Sequence, residues 1–276
     1  MQQEVISIKQ ETSEFMISEA PFYAEQTSEV ALFELAYKNR LPVMLKGPTG
    51  SGKTRLVEHM AHKLGRPLYT VACHEDLTAG DLVGRYIIKG SEVVWLDGPV
   101  LMAVKTGGIV YLDEIVEARK DVSVIIHPLT DYRRCLPVDK LGKQFKAPDE
   151  FMLVISYNPN YQSVIKELKP STRQRFVSIE LGWPEQKIET QVVWRESGIC
   201  IETAELLVRA AHKIRGLVTQ GLEEGVSTRE LIHAARLIDS GANAREALVA
   251  TCVEPLTSEE DMKLAIVEII KNFLKI

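Results

Sequence analysis

The stretch Gly47-Pro48-Thr49-Gly50-Ser51-Gly52-Lys53-Thr54 decides the fold of this 276-residue chain. The apolar residues 43–45 precede it and a helical pattern, 54–64, follows it, so the order is strand, loop, helix. The pattern GxxxxGK[ST] suits a nucleoside triphosphate, because its glycines let backbone N–H groups converge on phosphate oxygens at a helix N-terminus. We expect Lys53 to neutralise phosphate charge and Thr54 to ligate Mg²⁺. An ordinary glycine-rich turn is the weaker alternative.

Composition and charge narrow the class of protein. The net charge is −5, with acidic and basic residues interspersed, so we expect no nucleic acid and no membrane surface as partner. A channel for nucleic acid, lined locally with Lys and Arg, remains possible as an alternative.

The N-terminus lacks a signal-peptide pattern and no apolar run approaches ~20 residues, which predicts a cytoplasmic protein. The four cysteines lie far apart and are expected to be small core residues: Cys73, Cys135, Cys200 and Cys252.

A second apolar run, 109–112, leads directly into Asp113 and Glu114. A strand buried on both faces that ends in carboxylates is the expected second element of a nucleotide site. Asp113 would hold Mg²⁺ through water, and Glu114 would accept a proton from the attacking water. By itself, an apolar run followed by two carboxylates is weak evidence for a nucleotide site, but the phosphate loop upstream makes this evidence strong.

Further polar residues follow later elements of the predicted fold. Asn158 ends the apolar run 151–157 and can orient the hydrolytic water, although an Asn before a proline is also ordinary turn chemistry. Arg173 and Arg175 occupy a polar junction, the position at which a ring ATPase presents an arginine finger to its neighbour. The alternative is that both are ordinary surface residues that aid solubility. The sequence does not decide which of the two arginines is the finger. Arg229 lies near a helix start and can reach a γ-phosphate, or is simply a surface arginine.

The organisation predicted is an α/β domain followed by a small all-helical lid. The boundary falls at Gly182-Trp183-Pro184, because the pattern afterwards is helical throughout, giving domains of 1–182 and 183–276. Two exposed hairpins are expected at 86–96 and 133–150. Before residue 22, short alternations indicate small strands or a strap over the core: Ile6 with Ile8, and Phe15 with Ile17.

Over nearly its whole length the chain resembles the MoxR-type AAA+ ATPases. The resemblance rests on the order GPTGSGKT, DLVGRY with WLDGP, GGIVYLDEI, SYNP, STRQRF and STRE. Longer strings are similar to the CbbQ/NorQ group, and closest to CbbQ: LPVMLKGPTGSGKTR, VACHEDLTAGDLVGRY, LDEIVEAR, IHPLTDYRR and LKPSTRQRF. The resemblance implies an AAA+ fold with a five-stranded parallel sheet, a helix-2 insert and a pre-sensor-1 hairpin. It also implies hydrolysis of ATP with Mg²⁺ as cofactor.

The resemblance also assigns roles residue by residue. They are Lys53 and Thr54 in Walker A, Asp113 and Glu114 in Walker B, Asn158 as sensor 1, Arg229 as sensor 2, and Arg173 or Arg175 as the finger. It implies a homo-hexameric ring with an adaptor that carries a von Willebrand factor A-type domain, CbbO- or NorD-like. The favoured target is Rubisco, freed from inhibitory sugar phosphates; the alternative is activation of nitric oxide reductase or maturation of another metalloenzyme.

Three other function classes remain as alternatives at this point. In a P-loop kinase a small acceptor would replace water, and Glu114, Asn158 and the paired arginines argue against it. A nucleotide-gated scaffold would tolerate loss of Glu114. A nucleic-acid motor is disfavoured by the acidic balance and the absence of an aromatic platform.

Overall fold

The computed structural model describes residues 12–159 and 168–274. The predicted alternation of Ile6 with Ile8 lies outside the described residues. The described chain divides into two compact units. The first contains residues 12–23, 28–47 and 52–181, and the second contains residues 24–27, 48–51 and 182–274.

The first unit contains the strands of the chain that the structure describes. Their bounds are β1 Val43–Lys46, β2 Leu68–Ala72, β3 Gly84–Lys89, β4 Glu92–Asp97, β5 Ile109–Asp113, β6 Cys135–Val138, β7 Lys143–Lys146, β8 Met152–Tyr157 and β9 Val177–Glu180. Five of them form one parallel sheet in the order β2-β5-β8-β1-β9. This confirms the predicted five-stranded parallel sheet.

Helices surround the sheet of the first unit and make up the second unit. Those of the first are α1 Glu29–Lys38, α2 Lys53–Leu64, α3 Ala79–Val83, α4 Pro99–Thr106, α5 Lys120–Ile126 and α6 Pro170–Arg173. Those of the second are α7 Gln186–Ser197, α8 Ile201–Arg215, α9 Thr228–Asp239, α10 Ala244–Cys252 and α11 Glu260–Leu274. Among the described residues the second unit is helical, as predicted.

The sheet is buried on both faces, which explains its unbroken apolar strands. Side chains alternate along β1, so Met44 joins the apolar cluster on one face while Val43 and Leu45 join the cluster on the other. Strand β5 divides in the same way, with Leu112 on one face and Tyr111 on the opposite face. Because parallel strands end at one edge, the loops after β1, β5 and β8 meet there.

Both predicted hairpins are present as separate two-stranded sheets, β3 with β4 and β6 with β7. In the first, Ile88 pairs with Val93, and the two side chains are 79% and 68% exposed. Tyr86 packs edge-on against Trp95 behind them, with ring centroids 5.0 Å apart. An apolar pair next to the tip of this hairpin is therefore open to solvent.

Two details differ from the predictions. Of the two alternatives expected here, small strands or a strap, the strands are wrong for Phe15 and Ile17, because residues 12–15 form a helical turn instead. The Phe15 ring packs on Tyr69 with centroids 4.5 Å apart, a contact that agrees with a strap over the core. The expectation of four core cysteines is wrong for Cys200, which is exposed, whereas the other three are buried.

No helix of the described residues is long and apolar enough to cross a membrane.

The second unit is organised around a buried carboxylate as well as an apolar core. Glu189 on α7 is fully buried and accepts two bonds from the Arg215 guanidinium, at 2.7 and 2.6 Å. Thr228, the first residue of α9, donates to the same carboxylate at 2.6 Å, and His212 lies 3.0 Å from it. These bonds tie the start of α9 to α7 and α8.

Candidate active site

The phosphate loop joins β1 to α2, so it ends at a helix N-terminus, which favours an anion. Gly52 adopts φ +94°, a left-handed conformation that favours glycine, and α2 begins at the next residue. The Lys53 side chain is buried, and its Nζ donates to the Gly47 carbonyl at 2.8 Å. The ammonium group is therefore held across the loop, beside helix N–H groups that attract negative charge.

Thr54 and Asp113 bring two hard oxygen donors together. The Thr54 Oγ1 lies 3.5 Å from Asp113 Oδ2. Among the described residues no group of three or more His, Cys, Asp or Glu side chains could hold a metal ion. A hydroxyl and one carboxylate fit Mg²⁺, which binds nucleotide phosphates and water and uses few protein ligands.

The opposite oxygen of Asp113 is fixed by two buried hydroxyl groups. Tyr111 Oη donates to Asp113 Oδ1 at 2.7 Å, and Ser156 Oγ donates to the same oxygen. The Ser156 Oγ also accepts from the Glu114 backbone N–H at 3.0 Å. One serine on β8 thus contacts both acidic residues at the end of β5.

Glu114 occupies an unusual backbone conformation. Its φ and ψ are +55° and +50°, the left-handed region, which costs roughly 1–2 kcal/mol for a residue with a Cβ. The Glu114 side chain is exposed, so water can reach the carboxylate that is predicted to accept its proton. Asn158, one residue beyond the end of β8 at the same edge of the sheet, is buried at 5% exposure.

Two further groups beside the carboxylates remain protonated near neutral pH. Burial raises the pKa of Tyr111 above its usual range, and Asp113 adds to the shift, so the phenol is a donor. Burial raises the pKa of Cys73 to about 12, with Asp113 and Glu114 contributing. Cys73 is therefore a thiol with little nucleophilic character.

The two candidate finger arginines differ in their contacts. Arg175 lies 3.4 Å from Asp131, whose pKa is lowered to about 2 mainly by hydrogen bonds from Arg133. Arg173 ends the short helix α6, is half-buried, and makes no ion pair with any residue that the structure describes. The residue before it, Thr172, is buried and lies 3.1 Å from His127 Nε2.

Residues 48–51 of the phosphate loop belong to the second unit. The Thr49 N–H donates to Glu224 Oε1 at 3.1 Å. Gly50 has φ +72°, and a Cβ there would lie 2.5 Å from that of Ser227, so glycine is required. The Ser51 Oγ is buried without a hydrogen-bond partner among the described residues, so a phosphate oxygen fits beside it.

The predicted sensor arginine stands at the start of α9. Ser227 caps this helix by accepting from the Glu230 N–H at 3.2 Å, and Glu230 accepts from the Ser227 N–H at 2.6 Å. Arg229 is exposed and has no side-chain partner within the described ranges. It is therefore free to bind an anion.

The structure gathers some predicted site residues and leaves others apart. Lys53, Thr54, Asp113, Glu114 and Asn158 all lie at one edge of the sheet. In this single chain, Arg175 contacts Asp131 and no Walker residue. Sequence reasoning missed three contacts, those of Tyr111, Ser156 and Glu224. Strand periodicity places Tyr111 on the same face as Asp113, and Ser156 interrupts an apolar strand, so these two carried a signal.

Comparison with known proteins identifies two family models along the chain. Residues 42–176 match the AAA domain (dynein-related subfamily), and residues 189–273 match the CbbQ/NirQ/NorQ C-terminal family. Two RuvB variants from Thermotoga maritima share the fold. Their TM-scores are 0.55 and 0.54 at 17% and 18% identity, and the matches cover 89% of this chain in both cases and 71% and 70% of those chains.

Similar curated proteins match almost end to end. NorQ from Paracoccus denitrificans is 59% identical over 245 residues, 89% of this chain and 91% of that protein. The denitrification regulatory protein NirQ from Pseudomonas aeruginosa is 50% identical over 251 residues, 91% of this chain and 96% of that protein. CbbQ from Hydrogenophilus thermoluteolus is 48% identical over 254 residues, 92% and 95% of the two chains. This chain therefore belongs to the CbbQ/NirQ/NorQ group of MoxR-type AAA+ ATPases, enzymes that hydrolyse ATP.

Proposed function

We propose that this ATPase activates nitric oxide reductase, the role that the resemblance to NorQ implies. One observation carries the choice: the chain is 59% identical to NorQ but 48% identical to CbbQ, over alignments of similar length. The NirQ proteins, whose names refer to denitrification, are 48% and 50% identical. The expectation of Rubisco as the favoured target, drawn from a few motifs, is replaced by its alternative.

The chemistry proposed is in-line attack of water on the γ-phosphate. Lys53 binds the phosphates, Glu114 accepts the proton of the attacking water, and Asn158 orients that water. A Mg²⁺ held through Thr54 and Asp113 would supply charge neutralisation to the phosphates. Arg229 on α9 serves as a second anion contact.

The working assembly proposed is a homo-hexamer with an adaptor that carries a von Willebrand factor A-type domain. An arginine finger, Arg173 or Arg175, completes the site of the neighbouring subunit. The support is the AAA family match and the lack of contact between these arginines and the chain's own Walker residues. The exposed apolar pair Ile88 and Val93, next to the tip of the β3–β4 hairpin, is available for a protein partner.

The experiment is deletion of the gene in its own organism, with complementation by plasmid-borne variants. Nitric oxide reductase activity in membranes should be lost in the deletion strain, return with the wild-type gene, and stay absent with Glu114→Gln. Reductase polypeptide levels, measured by immunoblot, separate failed activation from failed expression.

A parallel measurement tests the Rubisco alternative. Rubisco inhibited by its own sugar bisphosphate substrate is incubated with the ATPase, the adaptor and ATP, and carboxylation is followed. Recovery of Rubisco, together with unchanged nitric oxide reductase in the deletion strain, would contradict the proposal. Loss of both activities would show that the ATPase has more than one target.

A further inference from the structure

The carboxylate of Asp113 has two inequivalent oxygens. Oδ1 accepts from Tyr111 Oη at 2.7 Å and from Ser156 Oγ. Oδ2 receives neither bond and lies 3.5 Å from Thr54 Oγ1, the other oxygen expected to hold Mg²⁺. The hydroxyl groups therefore occupy one side of the carboxylate and leave the other side toward the metal position.

The Ser156 hydroxyl makes a second hydrogen bond, to the backbone of Glu114. A serine hydroxyl has one donor and two acceptor positions. Here it donates to Asp113 and accepts from the Glu114 N–H at 3.0 Å. That second bond holds the peptide of a residue in the left-handed conformation, which Glu114 adopts at φ +55°. The serine is fully buried, so water does not compete for these bonds.

We infer that Ser156 and Tyr111 are positioning residues for ATP hydrolysis: together they fix Asp113 with Oδ2 toward Mg²⁺, and Ser156 also fixes the backbone of Glu114. Neither residue touches the nucleotide in this account. The inference concerns hydrolysis itself and does not depend on which protein the ATPase activates.

Removing these hydroxyl groups is expected to affect metal-dependent binding. Groups that orient a metal ligand typically contribute 10–100-fold to metal affinity or activity. In Tyr111→Phe or Ser156→Ala, Asp113 loses one of its two hydroxyl donors on Oδ1, so its carboxylate is held less firmly. The gain in affinity for a fluorescent ADP on adding Mg²⁺ should fall by about tenfold. Affinity in EDTA should stay within about twofold, because Lys53 and the loop N–H groups are unchanged.

The matched control is Tyr69→Phe. Tyr69 is also buried, lies on the neighbouring strand β2, and donates or accepts a bond with Thr106 at 3.2 Å, away from Asp113. Like Tyr111→Phe, this change removes a buried tyrosine hydroxyl from the parallel sheet. It should leave both the Mg²⁺-dependent gain and the turnover unaltered.

A second readout needs neither metal nor nucleotide. The Glu114 amide loses its acceptor in Ser156→Ala but not in Tyr111→Phe, so hydrogen exchange in a peptide spanning residues 109–118 should be faster in the first variant alone. Ser156→Thr retains the hydroxyl and should restore slow exchange.

The inference is overturned if the Mg²⁺-dependent gain in Tyr111→Phe matches that in Tyr69→Phe. Tyr111→Phe decides this even if Ser156→Ala fails to fold, because it keeps the ring that packs in the core. Equal exchange rates for wild type and a folded Ser156→Ala would overturn the part that concerns Glu114.

Discussion

At the end of the central strands, single residues are expected to separate nucleotide binding from bond cleavage. Lys53 is buried against the loop and is the proposed positive charge for the phosphates, whereas Glu114, the proposed base, is exposed beyond the strand end. Lys53→Ala should weaken ATP binding by at least about tenfold, the effect of losing a charged hydrogen bond. Glu114→Gln should bind ATP as the wild type does and hydrolyse it roughly 10²–10⁴-fold more slowly. Equilibrium binding of a fluorescent ATP analogue and phosphate release measure the two effects.

Glu117→Gln provides the matched control for Glu114→Gln, since it changes the same charge three residues along the chain. It should retain wild-type turnover. The assignment of the base fails if Glu114→Gln hydrolyses ATP at the wild-type rate.

A second residue-scale prediction concerns Glu224. Its carboxylate accepts the Thr49 N–H at 3.1 Å, the kind of donor that a phosphate group needs. A bound phosphate must displace it and is also repelled by its charge. Glu224→Gln should therefore tighten ADP binding several-fold, to an extent that falls as salt rises. Glu223→Gln is the control, and unchanged affinity in Glu224→Gln at low salt would contradict the prediction.

At the scale of elements, the sequence predicted the sheet and the helices well. It did not predict the hydrogen bonds between elements that position the site residues. Strands β5 and β8 are apolar runs buried on both faces, a pattern that local sequence carries directly. The bond between Ser156 and the Glu114 N–H depends on the register of β8 against β5, and short apolar runs do not specify that register. The contact between Glu224 and Thr49 was missed because it joins residues that lie 175 apart in the sequence.

The buried Glu189 predicts how the helical unit responds to acid. Burial opposes ionisation, but hydrogen bonds from Arg215 and His212 outweigh it and hold the pKa of Glu189 below its usual value. Its contribution is therefore complete above the unfolded pKa of about 4.3 and is lost as the pH falls through the lower folded value. Glu189→Gln should destabilise by about 3 kcal/mol at pH 7, because Arg215 loses its buried partner. The deficit should begin to shrink below about pH 4, where the unfolded wild-type chain binds a proton at Glu189 and the folded chain does not yet do so.

Urea unfolding followed by circular dichroism at several pH values measures this deficit. The exposed Glu205 lies on α8, the helix that carries Arg215, and Glu205→Gln should show no pH-dependent difference from wild type. A deficit for Glu189→Gln that is equal at pH 3 and pH 7 would argue against an ionised Glu189.

The β3–β4 hairpin should couple the ATPase to its target without taking part in hydrolysis. The paired residues Ile88 and Val93, next to its tip, are exposed, and large exposed apolar side chains in a cluster mark partner surfaces. Replacing both by Ser should leave basal ATP turnover unchanged and reduce activation of nitric oxide reductase in the complemented strain. Full activation would show that the partner binds elsewhere.

At the scale of the whole molecule, the proposed ring predicts catalysis between subunits. The chain's own Walker residues gather at one sheet edge, while Arg175 contacts Asp131 and Arg173 makes no ion pair among the described residues. An arginine supplied by a neighbour raises turnover by roughly 10³–10⁵ in systems that use one. Arg173→Ala and Arg175→Ala, tested singly in intact rings, should therefore differ strongly, with the larger loss identifying the finger.

Mixing two inactive variants tests whether that arginine acts on the neighbouring subunit. Rings of Glu114→Gln retain the finger but lack the base, and rings of the finger variant retain the base but lack the finger. If the finger acts on the neighbour, equal mixing should restore about a quarter of wild-type turnover, since half of the subunits supply the base and half of their neighbours supply the finger. A finger that served its own subunit would give no recovery at any ratio, because no subunit then holds both groups.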